Sequence, residues 1–154
     1  MPADFEPPLR LEAPEFALEP LGPQHNEADY AAWTSSMEHI HTTPGFVGRS
    51  WPHAMTLAEN LADLEMHARH FRERCGFTYT VLEPRTGDVI GCVYIYPVGS
   101  PDADRSSDPI EHDASVRSWV SALRAPLDRP LWAAVTEWLR AEWPFEHVGY
   151  AARP

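Results

Sequence analysis

The chain has 154 residues, 44% of them hydrophobic, with six Trp, five Tyr and six Phe, enough apolar mass for a single cored domain and too much for a disordered chain. A formal net charge of -11 argues against a nucleic-acid partner, because duplex binding rests on Lys and Arg neutralising phosphates; it suits a small cationic substrate or simple solubility. Two cysteines, Cys75 and Cys92, are too few for a disulfide framework, the N-terminus lacks the segments of a signal peptide, and no apolar run is long enough to span a membrane, so the expectation is a cytoplasmic chain.

Residues 1–14 hold four of the 16 prolines and show little periodicity. They read as an arm laid on the surface of a domain that fills residues 15–154. In "EFALEPL", Phe16, Leu18 and Leu21 suggest a short strand ended by Pro20 and Gly22. From Asn26, a plausible N-cap, Tyr30, Trp33, Met37 and Ile40 recur at helical spacing until Pro44 and Gly45. Glu27 and Asp29 then fall in the first turn, where the helix dipole favours acids. The next helix opens on a capping box, Thr56 and Glu59, carries a stripe of Leu57, Leu61, Leu64, Ala68 and Phe71, and closes at Gly76.

The period then drops to two. "FTYTVLE" and "DVIGCVYIYP" flank the turn "PRTG" and predict a hairpin whose second strand is covered on both faces. Residues 98–113 form a long polar loop. In "ASVRSWVSAL", Val116, Ser118 and Val120 alternate with Arg117, Trp119 and Ser121. Leu131, Val135, Trp138 and Leu139 make a helical stripe with Pro130 in its first turn, and "HVGYAA" is a closing strand. This strand–helix–strand end predicts a right-handed parallel crossover. The fold class is α/β or α+β: a mixed, mostly antiparallel sheet with helices on both faces.

Several residues could carry chemistry. His39 and His41 are two apart, a spacing that splays them around a helix, and no zinc motif accompanies them, so no metal site is expected. Glu111, His112 and Asp113 precede a strand and could supply a general base for an amine. Cys92 lies in an apolar strand and reads as an inert thiol. "VSALRAPLDRPLWAAV" is a strand–turn–helix junction without glycine.

The element order resembles the GNAT N-acetyltransferase superfamily over roughly residues 15–151. The family's phosphate loop is Q/R-x-x-G-x-G/A. Arg124 fits its first position, while Leu127 and Arg129 stand where its two small residues belong. The resemblance implies the acyl-CoA N-acyltransferase fold, acetyl-CoA as cofactor and a small amine as acceptor. A backbone N–H at the end of the strand, near Val120, would polarise the thioester carbonyl. Arg124 and Arg129 would hold phosphates in place of backbone donors, beside Leu127 and Asp128. The loop between the first two helices would border the acceptor, bringing Glu38, His39, His41, Arg49, Trp51 and His53 to it. Tyr150 would be a general acid. The family usually continues with a further helix and two strands, a wall that a homodimer could restore. The alternative function is a non-catalytic binding or dimerisation module that has lost acetyl-CoA.

Overall fold

The computed structural model describes residues 1–100 and 112–154. Among these described residues six strands form one sheet in chain order: β1 (Leu11–Glu12), β2 (Ala17–Pro20), β3 (Phe77–Leu82), β4 (Val89–Pro97), β5 (Ala114–Val120) and β6 (Val148–Tyr150). Neighbours are antiparallel except β5 and β6, which are parallel, as expected from the sequence, and joined through α4 (Asp128–Glu142). Between β2 and β3 lie α1 (Asn26–Thr34), α2 (Met37–His41) and α3 (Leu57–Glu73). Among the described residues no helix is long and apolar enough to cross a membrane.

The pleat sends alternate side chains to two cores. Phe77, Tyr79 and Val81 of β3, with Val93 and Ile95 of β4, meet Leu131, Val135 and Trp138 of α4. Cys92 of β4 and Trp119 of β5 face Trp33, Ile40 and Leu64 from the three-helix layer. Hence β4 is apolar at nearly every position: both its faces are covered. Each fully buried large side chain contributes about 1.5–3 kcal/mol. Gly91 lets β4 lie close to β5, since a Cβ there would run into the Trp119 carbonyl.

Four local expectations change. The first helix breaks at Ser35 and Ser36, and Ser36 Oγ accepts from Ala122 N at 2.9 Å, a tertiary bond available because the helix stops. Asn26 lies inside α1 rather than capping it; its amide donates to the Leu57 carbonyl and its Oδ1 accepts from Asn60. In α3 the capping box of Thr56 and Glu59 is present, but Leu57 is exposed and the buried positions are Asn60, Leu64 and His70. That helix ends on a left-handed Arg74, at φ 63°, ahead of Gly76. The Arg74 guanidinium bonds the carbonyls of Pro2 and Phe5, Tyr79 Oη donates to Pro8, and Phe5 packs on Trp143, which fastens the first residues to the body. Leu11 and Glu12 of this arm pair with β2 as an added edge strand.

Candidate functional site

A cleft of about 320 Å³ opens between the three-helix layer and the sheet. The aromatic side chains of Phe46, Trp51, Tyr94 and Tyr96 wall it. Trp51 is placed by contacts of 5.5 Å to Trp33 and 6.3 Å to Trp119, and by the neighbouring Pro52, whose carbonyl accepts from His41 Nε2 at 2.6 Å. Tyr94 Oη accepts from the Trp119 indole at 3.0 Å.

The polar part of the cleft is built where α1 crosses α3. Asn60 Oδ1 accepts from Trp33 Nε1 at 3.0 Å, and its amide donates to Asn26 Oδ1 and to Asp29 Oδ2, at 2.8 and 3.1 Å. Asp29 therefore sits in a wall rather than in solvent. Burial raises its carboxyl to about 6; the Asn60 bond holds it down and neighbouring Asp63 pushes it up. Such a carboxyl is ionised at neutral pH yet within reach of protonation, suited to holding an ammonium or taking its proton. Asp63 and His67 of α3 also line it, together with two arginines, Arg49 from the loop and Arg117 from β5. Arg49 Nε donates to the Gly45 carbonyl at 2.8 Å.

A second polar cluster lies at the far edge of the sheet. The β5–β6 pairing runs from Ala114/Val148 to Val116/Tyr150, whereas β5 continues to Val120. The Ser118 carbonyl beyond it accepts from Arg153 Nη2 at 2.9 Å. Arg153 Nε meets Asp128 Oδ2 at 2.7 Å and Nη1 meets the Ala151 carbonyl at 2.8 Å. Tyr150 Oη is 2.5 Å from Ser118 Oγ, with the Arg153 guanidinium 5.7 Å from its ring centre; burial pushes its phenol up to about 12.

The residues expected to hold the coenzyme divide across this edge. Val120 is buried at the end of β5. Residues Ala122–Leu127 form a tight 3₁₀ turn containing Pro126; it exposes Arg124, while Leu127 is half-buried, and Arg129 is exposed in the first turn of α4. Asp128 is committed to Arg153. Of the expected acceptor residues, Arg49 and Trp51 line the cleft. His41 pins the loop, His39 buries an Nε2 that has no partner among the described residues, and Glu38 and His53 are exposed. Glu111 lies outside the described residues, as does most of the loop expected over 98–113. Asp113 Oδ2 accepts from the N–H groups of Glu146 and His147, at 2.6 and 3.0 Å. Those bonds hold its carboxyl below the usual range, the reverse of a base poised near neutrality. Among the described residues no three His, Cys, Asp or Glu converge as metal ligands, and Cys92 is a free, buried thiol pushed well up by burial.

Asp29, Asn60 and Arg117 escaped the sequence reading. A signal existed: Asp29 precedes Trp33 by four residues and Asn60 precedes Leu64 by four, so both polar residues share a face with core positions.

No protein-family model matches the sequence, and no curated protein sequence does. Solved structures do. A Vibrio cholerae protein assigned as a ribosomal-protein-serine acetyltransferase is 13% identical with a TM-score of 0.67, over 100% of this chain and 77% of that one. The ribosomal-protein-S5-alanine acetyltransferase of Vibrio fischeri is 11% identical with a TM-score of 0.60, over 87% and 69%. RimL, a ribosomal L7/L12 alpha-N-protein acetyltransferase in complex with coenzyme A, is 12% identical with a TM-score of 0.58, over 88% and 68%. At these identities the likeness is one of fold, and the fold is that of the GNAT acetyltransferases.

Proposed function

We propose that the chain is an amine N-acetyltransferase of the GNAT type, with acetyl-CoA along β5 and the amine in the cleft under the three-helix layer. One observation carries the reading: β5 runs past the end of its pairing with β6 and offers the Ser118 carbonyl to an outside N–H donor. That donor is Arg153, a long flexible chain tipped with N–H groups, and an extended amide-bearing arm such as that of coenzyme A is a donor of the same kind. The residues present fit the coenzyme once Arg153 withdraws. Ser118 and Val120 would then hold the arm, and Arg124 and Arg129 its phosphates by charge-assisted bonds. Bound there, the coenzyme supplies an activated acetyl group. Tyr150 keeps its proton at Oη and stands as a donor beside Ser118. Asp29 balances the ammonium in the cleft and accepts its proton.

Calorimetry with acetyl-CoA tests this. Binding should weaken at least about tenfold when Arg124 and Arg129 both become Ala. No heat at millimolar coenzyme would sink the reading.

The second reading, a non-catalytic relative, is favoured by the buried Arg153, bonded through all three of its guanidinium nitrogens, and by Leu127 standing at a glycine position. Its signature is a cleft that binds amines in a protein indifferent to the coenzyme.

A further inference from the structure

The cleft holds a cation with unspent hydrogen-bonding capacity. Arg117 leaves the middle of β5 toward the helix layer, its guanidinium 5.9 Å from the Phe46 ring centre and 5.7 Å from that of Tyr96. These aromatic contacts satisfy its charge through the rings but use none of its N–H donors. Its Nε is buried and has no hydrogen-bond partner among the described residues. A buried donor left unpaired is destabilising, and an anionic acceptor would offset that with a charge-assisted bond. Asp29, of opposite charge, lines the same cleft.

We propose that the ligand of this cleft is an α-amino acid, its carboxylate on Arg117 and its ammonium on Asp29, with its side chain against the aromatic wall. The proposal rests on the amine-acceptor reading above and names its substrate class. A volume of about 320 Å³ is at the small end for ligand pockets and suits a single amino acid. The N-terminal residue of a polypeptide offers an ammonium but no adjacent carboxylate, so Arg117 would discriminate against it.

The test needs no coenzyme. Thermal shifts of the full chain with each proteinogenic amino acid should select one or a few. Calorimetry then compares the best amino acid with its carboxamide and its decarboxylated amine. The intact protein should bind the carboxamide and the amine at least about tenfold more weakly. Arg117→Gln should abolish that preference, while Arg117→Lys should retain part of it; their melting curves show whether each folds. A carboxamide that binds as tightly as the acid, which is the polypeptide outcome, overturns the proposal, and so does a screen in which no amino acid raises the melting temperature. Because both measurements lack acetyl-CoA, failure of the transferase reading and failure of this one are separable.

Discussion

Arg153 and Asp128 form an ion pair, Nε to Oδ2 at 2.7 Å, with the arginine side chain 1% exposed and the aspartate 21%. The pair spans the sheet edge and the first turn of α4, so it joins the stability of the fold to the state of the β5 edge. Asp128→Asn leaves a buried guanidinium without its counter-charge and should cost about 3 kcal/mol in urea unfolding. Arg153→Ala leaves an aspartate that water can reach and should cost less. It should also bind acetyl-CoA more tightly than the parent protein, because the Ser118 carbonyl is released. Calorimetry showing equal affinity would remove Arg153 as a competitor for that carbonyl.

Asp29 gives the cleft a pH signature. Its folded carboxyl titrates near 6 against 3.8 in the reference state, so between these values the folded protein binds more protons than the unfolded. This group's contribution therefore favours folding below about pH 4, declines as pH rises, and levels off above about 6. The full difference corresponds to about 3 kcal/mol. Asp29→Asn keeps an acceptor for Asn60 and removes the charge. It should stabilise the protein at pH 7, have little effect at pH 4, and abolish amine binding, as urea melts at both pH values and calorimetry would show.

Asn60 is a buried polar hub that serves Trp33, Asn26 and Asp29 together. Asn60→Ala strands those partners and should destabilise the chain by about 2–4 kcal/mol. Asn60→Asp retains the acceptor for Trp33 but sets a second carboxyl against Asp29. Its melting temperature should fall further at pH 7 than at pH 4; an equal loss at both would show that the two carboxyls are not both charged at pH 7.

Asp113 joins the start of β5 to the segment before β6 through the backbone of Glu146 and His147. Its carboxyl is held below its ordinary value, so its stabilisation is present at neutral pH and lost as pH falls through the folded value. Asp113→Ala should lower the melting temperature at pH 7 by more than at pH 3. A difference that is the same at both would mean the carboxylate contributes no charge-dependent support.

The parts of the fold legible in sequence are those whose cause is local. Thr56 and Glu59 cap α3 within one turn, the hairpin follows from alternation around "PRTG", and the stripe of α4 is regular. The break between α1 and α2 was hidden because Trp33, Met37 and Ile40 keep helical spacing across it; what stops the helix includes a bond from Ser36 to Ala122, far along the chain. The cleft was half legible. Arg49 and Trp51 are legible in the loop; Asp29 is the first-turn acid of α1 that the sequence suggests and Arg117 shares a strand face with Trp119, but neither position marks a site. What the sequence leaves hidden is that the packing of α1 on α3 buries Asp29 and that the helix layer covers the β5 face carrying Arg117. Nothing in the sequence points to Arg153, whose role depends on β6 leaving β5 at Tyr150.

The order of strands in the sheet has a consequence for how it is assembled. Because β1 to β6 lie side by side in chain order, no strand must wedge between two that have already paired. The β3–β4 hairpin can form first at small loop-closure cost, β5 and then β6 can add on one side, and β2 with β1 on the other once the helices have packed. The edge that receives β6 is also the edge where the Ser118 carbonyl, beyond the last β5–β6 pair, is taken by Arg153 from the chain that follows β6.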